Sequence, residues 1–237
     1  MSILAVSPAL AAYSRTANST PLRHLGTRYD QSGTFLPEPG NTIVCHLETD
    51  SDTDRVLRAA RAMYQAMPEA DHLAFTAPES LHMTLFQGII EYRRTQPYWP
   101  ADIAADTPID TMTEVLLERL APYAGNAPFK VEVIDALPTG LTVRGVTPED
   151  RQIMAAWRND LARLLGYRHP DHDSYEFHIT FAYVRERFED AALPAWQQML
   201  DEALAMIRTE TPVLELRAPA FCSFIDMNWF EELLPLA

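Results

Sequence analysis

The chain has 237 residues, of which 47% are hydrophobic, and its formal net charge is −14 at pH 7. This composition provides a core for one large domain or two small lobes, and it excludes a wholly disordered chain. It also argues against duplex nucleic acid as a partner, because such binding requires clustered Lys and Arg side chains that displace counterions.

Strand and helix patterns alternate through the first half of the chain. Residues 29–41 contain two prolines and two glycines and predict an ordered entry loop. A strand, a helix capped by Ser51 or Asp52, and two further strands are predicted next, at 42–48, 51–67, 72–76 and 81–88. Residues 88–110 mix aromatic, proline and charged residues without a period. They predict a long inserted loop beside or over a cleft.

The second half contains three helix patterns and five strand patterns. The predicted helices are 111–123, capped by Thr111 or Thr113, then 148–166 and 191–210. The predicted strands are 129–135, 141–146, 175–184, 213–217 and 221–226. These elements lack a strict βαβ rhythm, so we predict an α+β fold with two mainly antiparallel sheets and helices on their outer faces. The order of elements nearly repeats, which indicates two similar halves around a central cleft.

Two strand patterns carry the same short motif, His-x-Thr. The motif reads "HMTL" at His82 and "HITF" at His178. Side chains alternate between the faces of a strand, so His82 shares a face with Thr84, and His178 shares a face with Thr180. The opposite face of each strand is strongly apolar and suits a core. If the strands meet at a cleft, two imidazoles and two hydroxyls converge.

This set of side chains suits displacement at a phosphodiester. One histidine can take a proton from the nucleophile while the other protonates the leaving oxygen. The hydroxyls of Thr84 and Thr180 can donate to the phosphoryl oxygens, and the chemistry requires no metal or cofactor. The tripeptide alone is a weak signal, since a third match, at His172, falls in a polar loop. Two ordinary histidines on half-buried strands are the alternative interpretation.

The paired motifs resemble those of the 2H phosphoesterases, which include 2′,5′ RNA ligase-like proteins and cyclic phosphodiesterases. Together with "YDQSGTFLPEPGNTIVCHL", they resemble an uncharacterised bacterial branch catalogued as a domain of unknown function. The resemblance covers roughly residues 28–230 and implies a bilobal α+β fold with one motif strand from each lobe. It implies catalytic roles for His82 and His178 and substrate-binding roles for Thr84 and Thr180. We therefore expect residues 1–28 to form an N-terminal extension and residues 29–237 a single bilobal domain.

Three further residues are candidates for substrate binding. Arg144 lies inside a predicted strand, where it would bind either a substrate phosphate or a structural carboxylate. Tyr183 lies on the predicted face of Ile179, which favours core packing over a role in the cleft. Trp99, in the long insertion, would either stack on a base or sugar or fill the gap between lobes.

Other features of the sequence concern metals, thiols and location. "HPDHD", at 169–173, could bind a divalent metal, but its spacing matches no zinc pattern, and a solvated loop is the preferred interpretation. His46 and Cys45 are strand neighbours that point to opposite faces, so they do not form a nucleophile pair. The start of the chain faintly resembles a signal peptide but lacks a positive n-region. With no membrane-spanning run, we expect a cytoplasmic protein.

We therefore predict a metal-independent phosphodiesterase that cleaves a 2′,3′-cyclic or 2′-5′ phosphodiester. Its partner would be a small nucleotide or a short RNA end. A non-catalytic module that binds a nucleotide or RNA end in the same cleft is the alternative. A metal-dependent hydrolase is a third possibility, and loss of activity in chelator would reveal it.

Overall fold

A seven-stranded sheet runs through the centre of the computed structural model, which describes residues 6–236. The strands, in chain order, are β1 (Gly40–His46), β2 (Leu73–Phe75), β3 (His82–Phe86), β4 (Val131–Leu137), β5 (Gly140–Gly145), β6 (Phe177–Thr180), β7 (Ala182–Val184), β8 (Ala220–Phe224) and β9 (Glu231–Pro235). The large sheet has the order β4-β5-β6-β3-β1-β8-β9, and β2 pairs with β7 in a second, two-stranded sheet. Every pairing between these nine strands is antiparallel. The predicted α+β fold with two antiparallel sheets is confirmed.

In the described part of the chain, five α-helices accompany the sheets: α1 (Pro8–Ala11), α2 (Asp52–Gln65), α3 (Ile109–Leu120), α4 (Pro148–Leu165) and α5 (Leu193–Glu210). Ser51 caps α2, as predicted, and Gly166 ends α4 in the left-handed conformation with φ of 80°. The predicted Thr caps of α3 are wrong, because that helix begins two residues earlier, after Pro108. Among the helices of residues 6–236, none has the length and apolar character needed to cross a membrane.

The start of α4 offers a direct test of the local rules that place this helix. Thr147 accepts a hydrogen bond from the Asp150 backbone N–H, and the Asp150 carboxylate accepts one from the Thr147 N–H, which makes a capping box. We expect Thr147→Val to lower the free energy of unfolding by about 1 kcal/mol, because the valine keeps the shape but cannot accept the bond. Urea denaturation measures this. Thr111→Val is the control, since Thr111 is exposed and does not cap α3; an equal loss in both variants would contradict the account.

The two motif strands bury their apolar faces, as the alternation of residues predicts. Met83 and Leu85 of β3 are fully buried, as is Ile179 of β6. They join one core that also contains apolar residues of α3, α4 and α5, such as Trp157 and Trp196. Burying these faces fixes which side of the sheet carries the polar residues of the motifs, because a one-residue slip would reverse both faces.

The predicted strand 175–184 is two strands in the structure. It breaks at Phe181, where the amides of Phe181 and Ala182 both donate to the carbonyl of Thr139, and β7 continues in the smaller sheet. The predicted strand 213–217 has only isolated bridges, at Leu214 and Leu216. Instead, β9 closes the sheet edge, and its half-exposed sequence EELLP gave no strand pattern.

The N-terminal segment packs against the rest of the chain. Leu10 is fully buried, and the Ser7 backbone N–H donates to the Gln197 side chain on α5. The N-terminal extension is therefore docked on α5 at these residues, and residues 1–5 of the stretch that resembled a signal peptide lie outside the described residues.

Candidate active site

A cleft of about 290 Å³ opens on the polar side of the two motif strands. His82, Thr84, His178 and Thr180 all line it. This volume is at the lower end of the range for small-molecule sites, which suits a small ligand. The structure therefore brings the four predicted motif residues to one cavity.

The pairing of β3 with β6 sets how these four residues are arranged. The strands are direct neighbours in the large sheet, with Met83 opposite Ile179. In antiparallel register, His82 then lies opposite Thr180, and Thr84 lies opposite His178. The histidines are diagonal neighbours, a relation that places residues roughly 7–8 Å apart. That separation is suitable for two imidazoles that contact one phosphate from different sides.

Each histidine ring is held by the same local hydrogen bond. Nδ1 of His82 lies 2.6 Å from the carbonyl oxygen of Ser80, and Nδ1 of His178 lies 3.2 Å from that of Glu176. A carbonyl only accepts, so Nδ1 carries the proton in both rings. The neutral form then has its free lone pair on Nε2, the nitrogen that is available to the cleft.

The two histidines differ in their environment. Burial lowers the pKa of His82 to about 3, and the neighbouring imidazoles of His46 and His178 add to this effect. The ring of Phe230, with its centroid 4.2 Å away, provides much of the apolar surroundings. Burial also lowers the pKa of His178, and the positive charge of Arg28 acts in the same direction. The side chain of His178 is more open to solvent than that of His82.

Tyr175 is a cleft residue that sequence reasoning missed. Its hydroxyl is buried next to Thr84 and Gln87 but has no hydrogen-bond partner of good geometry among residues 6–236. Burial raises its pKa to about 12, so the group stays protonated and can donate. It lies three residues before His178 in the sequence, in a stretch that otherwise predicted only a strand.

Tyr183 lines the cleft rather than the core beneath Ile179. The predicted face is wrong because the break at Phe181 interrupts the alternation of side chains. The Tyr183 hydroxyl accepts a hydrogen bond of 3.2 Å from Arg28, whose guanidinium also lies over the ring. Arg28 in turn pairs with the buried carboxylate of Glu38 at 2.6 Å.

Two other candidates, each predicted either to bind substrate or to have a structural role, lie outside the lining of this cleft. Trp99 is 1% exposed, and its indole N–H donates to the carbonyl of Ile103, so it fills the core. Arg144 is half exposed and pairs with the Glu132 carboxylate at 2.8 Å. Its partner in the structure is thus a structural carboxylate, one of the two partners considered for it. Of the long insertion, only its first residues, including Gly88, Ile90 and Arg93, reach the cleft wall.

His169, His172 and the two cysteines have structural surroundings. His169 and His172 are buried rather than solvated, and they bond to the side chains of Gln87 and Asn159. Within residues 6–236, no group of three or more His, Cys, Asp and Glu side chains is placed to hold a metal ion. Cys45 and Cys222 are both buried free thiols, and His46 lies 3.6 Å from the Cys222 sulfur, not beside that of Cys45.

Comparisons with known proteins address the family. Residues 28–142 match a family model described as 2H-phosphodiest, Domain of unknown function (DUF1868). This segment includes His82 and Thr84 and ends before His178. A solved structure of the conserved protein of unknown function ATU0111 from Agrobacterium tumefaciens str. C58 is similar, with 48% identity and a TM-score of 0.96. That similarity covers 98% of this chain and 100% of the Agrobacterium chain. No curated protein matches.

The family match lies in residues 28–142, and the likeness in fold to the Agrobacterium protein extends over nearly the whole chain. The segment that carries the first motif is therefore similar to the 2H-phosphodiest family.

Proposed function

We propose that the protein is a phosphodiesterase that hydrolyses a 2′,3′-cyclic or 2′-5′ phosphodiester with two histidines as acid and base. The observation that carries this proposal is the diagonal placement of His82 and His178 on paired strands, with a threonine beside each across the sheet. The match of residues 28–142 to the 2H-phosphodiest model supports the class of reaction. The size of the cleft supports a small nucleotide or a short RNA end as substrate.

In the proposed reaction, one neutral histidine takes a proton from water as its oxygen attacks phosphorus. The P–O bond to the ribose 2′ or 3′ oxygen breaks, and the other, protonated histidine gives its proton to that oxygen. Thr84 and Thr180 donate hydrogen bonds to the non-bridging oxygens, where negative charge increases in the transition state. The Tyr175 hydroxyl is placed to donate to the same group. A cyclic phosphate thus becomes a phosphomonoester and a free hydroxyl.

The environments of the two histidines favour His82 as the base and His178 as the acid. Because burial lowers its pKa to about 3, His82 is neutral near pH 7. His178 is less deeply buried, and a bound phosphate would raise its pKa by attraction to the imidazolium. The single proton that the pair holds then resides on His178.

This assignment predicts the pH dependence of kcat/KM, which reports the free enzyme. On the acidic side, kcat/KM should rise with pH near pH 3, because His82 loses its proton there and can then act as the base. The acid form of His178 has a pKa below its ordinary value of 6.5, so activity should fall as the pH rises through that lowered value. We expect kcat/KM to be higher at pH 5 than at pH 8, when measured with a 2′,3′-cyclic nucleotide. A kcat/KM that rises steadily to pH 8 would contradict the assignment.

The function itself is tested with a panel of cyclic and linear phosphodiesters, including 2′,3′-cyclic nucleotides and short oligonucleotides, each with and without chelator. A phosphodiesterase of the proposed kind turns over at least one of them at the same rate in chelator. A binding module would be stabilised thermally by a nucleotide without consuming it. Loss of turnover in chelator would indicate the metal-dependent class.

A further inference from the structure

Three arginines, Arg23, Arg28 and Arg93, line the same cleft as the motif histidines. The chain has 33 acidic residues against 19 Lys and Arg, yet none of the described residues that line this cleft is acidic. The cleft is therefore locally positive in a chain whose overall charge is negative. We call these three residues the arginine cluster.

Most of the charge of the arginine cluster has no counter-charge. Within residues 6–236, Arg28 is the one member that forms an ion pair, with Glu38. The Arg93 guanidinium lies over the ring of Tyr98 at 4.5 Å, and its Nε is buried without a hydrogen-bond partner. Arg23 is exposed at the rim. Buried or half-buried arginines normally have an anionic partner, and here the partner would come from a ligand.

The three charges act on each other and on a neighbouring histidine. Burial lowers the pKa of Arg93, and the charges of Arg23 and Arg28 contribute to that shift. Burial and the three arginines together lower the pKa of His24, another residue of the cleft, to about 4. A bound anion would relieve this repulsion between like charges.

The arginine cluster lies toward one end of the cleft. Arg28 is among the charges that lower the pKa of His178, whereas no arginine is among those that act on His82. His82 instead has apolar side chains beside it, with Phe230 in contact and Met227 nearby in the lining. The cleft therefore has an apolar end beside His82 and a cationic end beside His178.

We propose that the arginine cluster binds a second, non-scissile phosphate of the substrate. This inference rests on the proposed function for the position of the reacting phosphodiester, between the two histidines. The substrate class is then a small phosphodiester with an additional phosphate, such as a nucleoside 2′,3′-cyclic phosphate that also carries a 5′-phosphate. Arginine suits this role because its planar fork of N–H donors matches two phosphate oxygens.

Matched substrates test the proposal. We compare kcat/KM for a nucleoside 2′,3′-cyclic phosphate with and without a 5′-phosphate, and we expect the 5′-phosphate to raise it by about tenfold or more, mainly through KM. Arg93→Gln and Arg23→Gln should each bring the ratio of the two values toward one. Arg163→Gln is the control, because Arg163 is an exposed residue of α4 that pairs with Asp160; it should keep the wild-type ratio. Arg23 is exposed, so Arg23→Gln should fold even if Arg93→Gln does not.

Calorimetry with inorganic pyrophosphate separates this inference from the proposed function, because it needs no turnover. We expect pyrophosphate to bind the wild type and to bind Arg93→Gln and Arg23→Gln about tenfold or more weakly, with Arg163→Gln unchanged. If neither cyclic substrate is turned over, the proposed function fails while the binding result still decides the role of the arginine cluster. A substrate ratio near one in the wild type, or pyrophosphate affinity that the Arg23 and Arg93 variants keep, would overturn the inference.

Discussion

Replacing His178 with alanine is expected to lower kcat for a cyclic phosphodiester by about 10²–10⁴, because the leaving oxygen loses its proton donor. His82→Gln should cost a similar factor, because it removes the base that activates water. The glutamine keeps part of the contact that His82 makes with Phe230. Both effects are measured by single-turnover hydrolysis at saturating enzyme.

Two controls accompany the histidine variants. His72→Gln removes an imidazole that packs on Phe188, away from the residues that line the cleft, and should leave kcat nearly unchanged. The combined His82 and His178 variant should cost much less than the product of the single losses, because the two groups act as one unit. Variants that keep wild-type activity per folded molecule would make the motif histidines ordinary strand residues.

Thr84→Val and Thr180→Val are each expected to lower kcat by about 10²–10³ if the hydroxyl donates to the phosphoryl group in the transition state. Valine keeps the branched shape of threonine and its preference for strands, so the sheet should be preserved. The same single-turnover assay reports the loss, and circular dichroism reports the fold.

Thr84→Ser and Thr180→Ser provide the matched comparison, since serine keeps the donor and loses only the methyl group. We expect the serine variants to retain most of the activity that the valine variants lose. Equal losses in serine and valine variants would assign the threonines to packing and remove them from the mechanism.

The orientation of the motif strands was predictable because the apolar face of each strand must be buried in the core. Met83 and Ile179 alternate with the polar motif residues, and their burial in the core determines where His82 and His178 point. The sequence could not reveal that β3 and β6 are direct neighbours in one sheet, because pairing of distant strands depends on the whole topology. That pairing supplies the diagonal relation on which the proposed mechanism depends.

The positions that the sequence did not predict depend on irregular backbone or on distant chain segments. Tyr183 reaches the cleft because the strand breaks at Phe181, where two amides share the Thr139 carbonyl, and strict alternation cannot anticipate that break. The arginine cluster joins Arg23 and Arg28 of the N-terminal extension to Arg93 of the long insertion. No local cluster of basic residues marks these positions in so acidic a chain. Trp99 gave a misleading signal, because an aromatic residue in a long loop suits a core as well as a ligand.

The central claim is that His82 and His178 together hydrolyse a phosphodiester, and its most direct test is the fate of oxygen from water. A nucleoside 2′,3′-cyclic phosphate that also carries a 5′-phosphate is incubated with the protein in ¹⁸O-labelled water and chelator, and the products are followed by ³¹P NMR. We predict a new phosphomonoester with one ¹⁸O at the former cyclic phosphorus, formed by the wild type and not by the folded double His82 and His178 variant. A cyclic phosphate that binds and remains intact in the wild type, or label incorporated equally by the double variant, would contradict the account.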